Sequence, residues 1–474
     1  MAHRIPVVVQ VIEDFSKWYT DVLKKSELVD YSGVRGCVIM RPYACSMWEN
    51  ITSILDKRFK EIGVENVSMP MFIPESMLQK EKNHIEGFAP EVAWVTHGGQ
   101  EELTERLCVR PTSEVMFCSH FSRIVNSWRD LPKLYNQWCS VVRWEKSSRP
   151  FLRSIEIHWQ EGHTIHESPG EANDFSLKIL NIYKEFLEEK LCIPLICGKK
   201  TESEKFAGAK ITYTIECMMK DGKSLQTATS HYFGNEFTKV FNVKFQTKEN
   251  KSDFAYYTSW GITTRTIGAI IMVHGDKDGL VLPPDVAPIQ IIIIPIKDSN
   301  EVKFKVSEVF NLLRTKYRIK IDEKEESVGC KFANSELRGI PIRIEIGPRD
   351  ISNNVFVLVR RDNRKKEICK FETILEKIEC TINDIKLNLY NSALKRFNSN
   401  ILNLNSLEEF EKTARIRDCF IKSYWCGSEK CENYIKDKFG YGSRCIPFEE
   451  NIEEGSCIVC NKKCDTKLYW AKSY

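Results

Sequence analysis

Seven apolar residues, Tyr43, Met47, Ile51, Ile54, Leu55, Phe59 and Ile62, recur at helical intervals with mostly polar positions between them. This spacing predicts an amphipathic helix over 43–61 with one face turned to a core. The helix enters a β-like stretch, 66–74, that ends in prolines. Farther along, 135–145 and 153–163 read as strands, and the polar link 146–150 makes them an antiparallel hairpin. A helical pattern returns over 174–190. The run 289–294, apolar except for Gln290, suits a strand buried on both faces. Behind it come helical 303–317, strand-like 342–346 and 355–359, and helical 371–391, the pattern of a small α/β domain.

Composition places the boundaries. A chain of 474 residues suggests roughly three domains at about 150 residues each. All nine histidines and eight of the ten tryptophans precede residue 286, and 286–393 contains neither type. With the punctuation Leu280-Val-Leu-Pro-Pro-Asp-Val-Ala-Pro288, this divides the chain into 1–285, 286–393 and 394–474. The 42% hydrophobic and 28% charged content excludes a disordered chain and a disulfide-stapled miniprotein. Residues 286–393 hold 20 Lys and Arg against 16 Asp and Glu, the whole of the formal +4. So small an excess equally describes a solvated face. The longest apolar run, 289–296, is far short of the ~20 residues of a membrane span. The early run 6–12 is interrupted by Gln10 and followed by Glu13 and Asp14, unlike a signal segment. A soluble, cytoplasmic protein is expected, its scattered cysteines reduced.

Period-two geometry then gathers chemistry. Arg143 and Glu145 share one face of the first hairpin strand, and Ile157, Trp159, Glu161 and His163 share one face of the second, so acids, a cation, a histidine and an aromatic converge on one floor. Common phosphate loops are absent. Gly222-Lys223-Ser224 ends like a P-loop, but Cys217 occupies the first glycine position, so a bound nucleotide would need arginines. In the tail, which carries seven of the 18 cysteines, Cys426-x4-Cys431 and Cys457-Ile-Val-Cys460 have the spacing of a zinc ribbon. No histidine follows residue 274, which makes Cys426, Cys431, Cys457 and Cys460 the expected ligands of a closed, structural Zn2+. Asn461 then occupies the left-handed turn after the last ligand. Cys445 reads as a packed thiol, and Cys464 is an alternative ligand.

Several longer stretches carry a resemblance. Pro70-Met-Phe-Ile-Pro74, His84-Ile-Glu-Gly-Phe-Ala-Pro-Glu-Val-Ala-Trp94, Arg110-Pro-Thr-Ser-Glu114, Asn136-Gln-Trp-Cys-Ser-Val-Val-Arg-Trp-Glu145, Trp159-Gln-Glu-Gly-His163, Glu204-Lys-Phe-Ala-Gly208 and Ser259-Trp-Gly-Ile-Thr-Thr-Arg-Thr-Ile-Gly268 resemble the class II aminoacyl-tRNA synthetases. Specifically, they resemble prolyl-tRNA synthetase of the eukaryotic and archaeal type. Arg338-Gly-Ile-Pro-Ile-Arg-Ile-Glu-Ile-Gly-Pro-Arg-Asp350 and the terminal Ser473-Tyr474 extend the likeness. The resemblance implies an α/β chain overall: an α+β catalytic domain on an antiparallel sheet, an α/β anticodon-binding domain and a small C-terminal zinc-binding domain. It implies a homodimer joined through the 43–61 helix and the Pro70 stretch. ATP with Mg2+, L-proline and tRNA(Pro) would be the substrates.

The same resemblance assigns roles. Arg143 would hold the α-phosphate and also border the proline site, and Arg265 the γ-phosphate, with Glu145, Arg153, Gln226 and Thr229 completing the nucleotide site and Ile157 under adenine, where the family has an aromatic. Thr112 and Glu114 would accept from the proline ammonium, supported by Glu161. Trp159, Phe206 and His231 would wall the ring, Ser259, Trp260 and Gly261 would close the floor, and His163 would line the site or only orient Glu161. Glu345, Arg349 and Asp350 are the anticodon candidates, and the turn 360–366 is either a phosphate contact or a solvated tip. Two departures stand out: Gln226-Thr-Ala-Thr-Ser-His231 lacks two family glycines, and the span from His163 to Gly261 is too short for the editing insertion of bacterial relatives. A catalytically idle paralogue, binding RNA as a regulatory module, is the alternative reading.

Overall fold

The first apolar stripe becomes the helix Pro42–Glu61, which buries Tyr43, Met47, Ile51, Leu55 and Phe59 along one side and starts with proline in its first turn. The computed structural model describes residues 14–80, 92–146, 148–448 and 453–474. Residues 84–91 of the His84 motif and the run 6–12 lie outside the described residues.

The helix packs under a sheet whose catalytic part runs Glu65–Asn66, Lys133–Val142, Glu156–His166, Tyr256–Thr263, Ser224–Gly234, Ile211–Met218 and Leu195–Lys199. All neighbouring pairs are antiparallel except the first. Register sets the two faces. Gln137 lies opposite Glu161, Cys139 opposite Trp159, Ser259 opposite His163 and His231 opposite Ser259. On the reverse face Gly162 lies opposite Trp260, whose indole packs against Phe59 at 4.9 Å and Tyr183 at 6.5 Å. Only glycine fits there, because a Cβ on Gly162 would lie 2.1 Å from the Trp260 ring.

The hairpin differs from the sequence expectation at its tip. Its strands end at Val142 and resume at Glu156, so Arg143, Glu145 and Arg153 sit in the connecting loop. The reason is the apolar pair Phe151–Leu152, which is buried and draws the chain out of the ladder; Phe151 accepts φ 63° to do so. The stretch 66–74 also divides. Glu65–Asn66 joins the main sheet, and Phe72–Pro74 joins a separate three-stranded sheet with Glu101–Val109 and Ala93–Gly98. At the two missing glycines the strand Ser224–Gly234 continues, absorbing the change as a one-residue bulge at Thr227.

The small α/β unit has the strand order Ile319–Ile321, Ile291–Pro295, Ile342–Ile346, Val355–Arg360, Lys366–Lys370, parallel across the first three. The helix Ile374–Ser399 leads out of it through residues 393 and 394. Beyond, the tail extends the catalytic sheet. Gly442–Pro447 pairs with Leu195–Lys199, placing Ile446 opposite Lys199, and the strands Lys467–Ala471, Phe420–Tyr424 and Ile401–Asn403 bring the sheet to eleven. The chain end returns to the middle of the molecule: Ser224 N donates to Lys472 O at 2.8 Å and Tyr474 N to Ser224 O at 3.2 Å. Among the described residues no helix is long and apolar enough to cross a membrane.

Candidate active site and metal centre

The face opposite Trp260 holds a cleft of about 220 Å³. Its acidic floor is built from the turn after Arg110 and from two central strands. Glu161 is fully enclosed. Ser113 Oγ and Gln137 Nε2 each donate to its Oε1 at 2.5 Å, Ser113 N donates to Oε2 at 3.2 Å, and His163 Nε2 lies 3.0 Å from Oε2. Burial alone would push this carboxyl up, but the hydrogen bonds from His163, Ser113 and Gln137 hold it at about 2. Four donors fill the acceptor capacity of a carboxylate. Glu161 and Glu114, with Thr112, line the cleft. Thr112 Oγ1 donates to Glu114 Oε2, and Ser259 Oγ donates to Oε1 at 3.1 Å. His163 Nδ1 meets Tyr257 OH at 2.5 Å, which places this histidine behind Glu161 as its positioner.

Aromatic groups wall the same pocket. Phe206 and His231 rings are 4.6 Å apart, and Trp159 Nε1 donates to Cys139 Sγ at 3.3 Å. Burial, with Arg143 nearby, brings His231 down to about 3, so at neutral pH it is an uncharged wall. Ser259 and Gly261 face the pocket. Trp260 borders it but turns its indole to the core on the reverse face, as strand alternation requires.

Cations collect at the other end. Arg143 donates through Nε to Pro111 O at 3.1 Å and stacks with its guanidinium carbon 5.1 Å from the Trp159 ring. Arg265 donates to Leu152 O and to Gln226 O, both at 3.1 Å. Burial, with Arg143 and Arg153 alongside, pulls the Arg265 guanidinium down to about 10. It remains charged at neutral pH. Arg265 also opens the helix Arg265–His274, whose partial positive end therefore adds to the same field. At the helix's far end Lys220 donates to His274 O at 3.2 Å and Arg396 to Val273 O at 2.7 Å, so cations neutralise the negative pole. The arrangement concentrates positive charge at this end of the cleft. Gln226, Thr229 and Ile157 line this cleft; Glu145 and Arg153 stand outside its lining, 3.8 Å apart. The arginine reading was legible in sequence, but Phe151 and Leu152 were not assigned to the lining. An apolar pair in an otherwise polar hairpin link was the available signal.

The anticodon candidates separate. Glu345 is buried and already accepts from Arg343 Nε at 3.1 Å and Lys366 Nζ at 2.8 Å. Asp350 Oδ2 accepts from Gly347 N at 2.8 Å, the work of a helix cap. Arg349 is exposed. In the turn 360–366 Asn363, Arg364, Lys365 and Lys366 are exposed at the tip, while Arg361 forks onto Asp276 at 2.7 and 2.6 Å and Arg364 reaches Asp278, fastening this unit to the catalytic part.

In the tail Cys426, Cys431, Cys457 and Cys460 bring their sulfurs within 4.8 Å of one another. Cys426 Sγ is 3.7 Å from Cys431 Sγ and 3.6 Å from Cys460 Sγ. Zinc–sulfur bonds of about 2.3 Å in a tetrahedron give sulfur separations of about 3.8 Å, so the four residues fit the metal. Two left-handed residues shape the loops, Gly427 at φ 81° and Asn461 at φ 57°. The amide of Lys462 and neighbouring thiols bring Cys460 down to about 7. Cys464 lies outside the group, and Cys445 is buried in a strand.

Three family models match successive parts of the chain: the tRNA synthetase class II core domain (G, H, P, S and T) over residues 94–274, an anticodon binding domain over 290–381, and the prolyl-tRNA synthetase C-terminal domain over 407–474. Fold and cleft are those of a class II aminoacyl-tRNA synthetase. A proline–tRNA ligase 2 of Bacillus cereus is 53% identical over 472 residues, 99% of each chain. Proline–tRNA ligases of Lachnoclostridium phytofermentans and Clostridium botulinum are 54% and 53% identical over 463 residues, 98% of this chain and 97% of theirs. The chain belongs to the prolyl-tRNA synthetase family.

Proposed function

We propose that this chain is a working proline–tRNA ligase, which joins proline to ATP as prolyl-adenylate, releases pyrophosphate and passes the prolyl group to tRNA(Pro). One observation carries the reading: a single cleft has gathered guanidiniums at one end and an acid-floored, aromatic-walled pocket at the other. The proline carboxylate is ionised at neutral pH and attacks the α-phosphate without a general base. The step needs alignment and charge neutralisation, which Arg143 at the α-phosphate and Arg265 at the γ-phosphate supply. Gln226, Thr229, Glu145 and Arg153 bind the rest of the nucleotide, with Ile157 against adenine. Mg2+ arrives with ATP, held mainly by phosphates. Glu114 and Thr112 take the proline ammonium, while Phe206, His231 and Trp159 enclose its ring. Proline-dependent ATP/pyrophosphate exchange is the test; its absence would favour the idle, RNA-binding reading.

Each segment, 1–285, 286–393 and 394–474, contains one matched family region, which supports that division. The type is that of eukaryotic and archaeal enzymes in architecture, although the relatives named above are bacterial: residues 167–255 are taken up by the sheet and its helices, with no inserted editing domain, and a zinc-ribbon tail follows. Arg349 is the anticodon contact best placed to meet RNA, with Glu345 and Asp350 shaping its strand and turn. The protein acts in the cytoplasm, where its buried thiols stay reduced. It is a homodimer whose interface includes the 43–61 helix and the Pro70 stretch, where Met71 and Phe72 are exposed. An active monomer in sedimentation at micromolar concentration would overturn this.

One Zn2+ per chain binds the four cysteines in a structural role. A closed four-sulfur site leaves no open position for a substrate. Elemental analysis is expected to find one equivalent, lost in Cys460→Ser and kept in Cys464→Ser.

A further inference from the structure

We propose that Glu432, in the metal-bearing helix of the tail, is a positioning residue for the amino-acid pocket about 230 residues earlier in sequence. The inference rests on the assignment of that pocket to proline. The helix Glu429–Phe439 carries Cys431 and, next to it, the buried Glu432. Glu432 Oε1 accepts from Thr201 Oγ1 at 2.8 Å and from Ser443 Oγ. Thr201 starts the pocket loop: its carbonyl accepts from Glu204 N at 3.2 Å and from Lys205 N at 3.0 Å. At the other end of that turn Phe206 N donates to Thr212 Oγ1 at 2.9 Å, and Thr212 Oγ1 meets His231 Nδ1 at 3.0 Å. Glu204 also pairs with Lys436, one helical turn beyond Glu432, at 3.2 Å.

The loop that presents Phe206 is thus fastened to the pocket at one end and to the tail at the other. Its tail fastening is a carboxylate, buried together with Thr201 and Ser443, and such groups are costly to leave unpaired. The Lys436–Glu204 pair is solvent-exposed and contributes little. The hydrogen bonds of this linkage end on Phe206, Thr212 and His231, on the amino-acid side of the cleft, so its removal should be felt by proline more than by ATP.

The experiment measures ATP/pyrophosphate exchange on the full-length protein, varying proline and ATP separately. Glu432→Ala is expected to raise KM for proline about five- to tenfold, the effect of one lost hydrogen bond, with KM for ATP and kcat changed less than about twofold. Glu432→Gln keeps an acceptor and should restore KM for proline. Thr201→Val, which removes the donor from the other side, should reproduce Glu432→Ala and covers the case in which that variant does not fold. Equal loss in both KM values, or an unchanged KM for proline in folded Glu432→Ala or Thr201→Val, would overturn the inference. A wild type without proline-dependent exchange would instead remove the reading on which it rests.

Discussion

The two ends of the cleft solve opposite electrostatic problems. At the amino-acid end the buried carboxylate Glu161 has every acceptor position filled by a neighbour, and its charge is stabilised before any ligand arrives. At the nucleotide end burial, and then Arg143 and Arg153 alongside, pull the Arg265 guanidinium down to about 10, and under the proposed function an anionic substrate would offset that positive charge. The first region adds to the stability of the folded chain. The second gathers like charges, which costs stability that phosphate binding would recover under the proposed function.

The largest test of this contrast is removal of a phosphate cation. Arg143→Ala or Arg265→Ala is expected to lower exchange by about 10²- to 10³-fold, as the loss of a preorganised charge contact does, with KM for proline little altered in Arg265→Ala. Arg143→Lys should rescue poorly, because it restores charge without the planar fork. Near-normal exchange in Arg143→Ala would show that the cationic end is structural.

An acid titration of the other end comes next. The Glu161 carboxyl is held at about 2, below its ordinary 4.5. Its contribution is therefore complete above about pH 4.5 and is lost as the pH falls towards 2. From the size of that shift it is worth on the order of 3 kcal/mol. Glu161→Gln is expected to be less stable than the wild type at pH 7, with the gap closing through this window in denaturant unfolding. A gap independent of pH would mean that packing, not charge, holds the floor.

The finest test concerns Ile157. Isoleucine gives adenine an apolar contact but no flat π face, and ring stacking is worth about 0.5 to 1.5 kcal/mol beyond area. Ile157→Phe should lower KM for ATP a few-fold, with tenfold as the ceiling, and leave KM for proline unchanged. A shift in proline alone would place Ile157 in the acid-floored pocket.

Much of this site was legible because strand alternation is a local property. Once 153–163 reads as a strand, Ile157, Trp159, Glu161 and His163 must share a face, and Gly162 must take the other. The cysteine pairs were legible for a similar reason, since four thiols at that spacing have one economical geometry. The hairpin tip was not, because burial of Phe151 and Leu152 depends on a core that is remote in sequence. Nor were the partners of two carboxylates: Glu114 and Glu161 look alike in sequence, and only the fold gives Ser113, Gln137 and His163 to Glu161 and Ser259 to Glu114.

The sequence alone therefore determined the family, the helical and strand periods and the grouping of the four cysteines, all of which reside in residue type and short spacing. Tertiary structure decided what each charged group meets. It fastened Arg361 to Asp276, gave Glu345 to Arg343 and Lys366, and stitched the tail to the catalytic sheet between Gly198 and Pro447. A charge expresses its function through its partners, and partners as far apart in sequence as Arg361 and Asp276 are chosen by the packing of the whole chain.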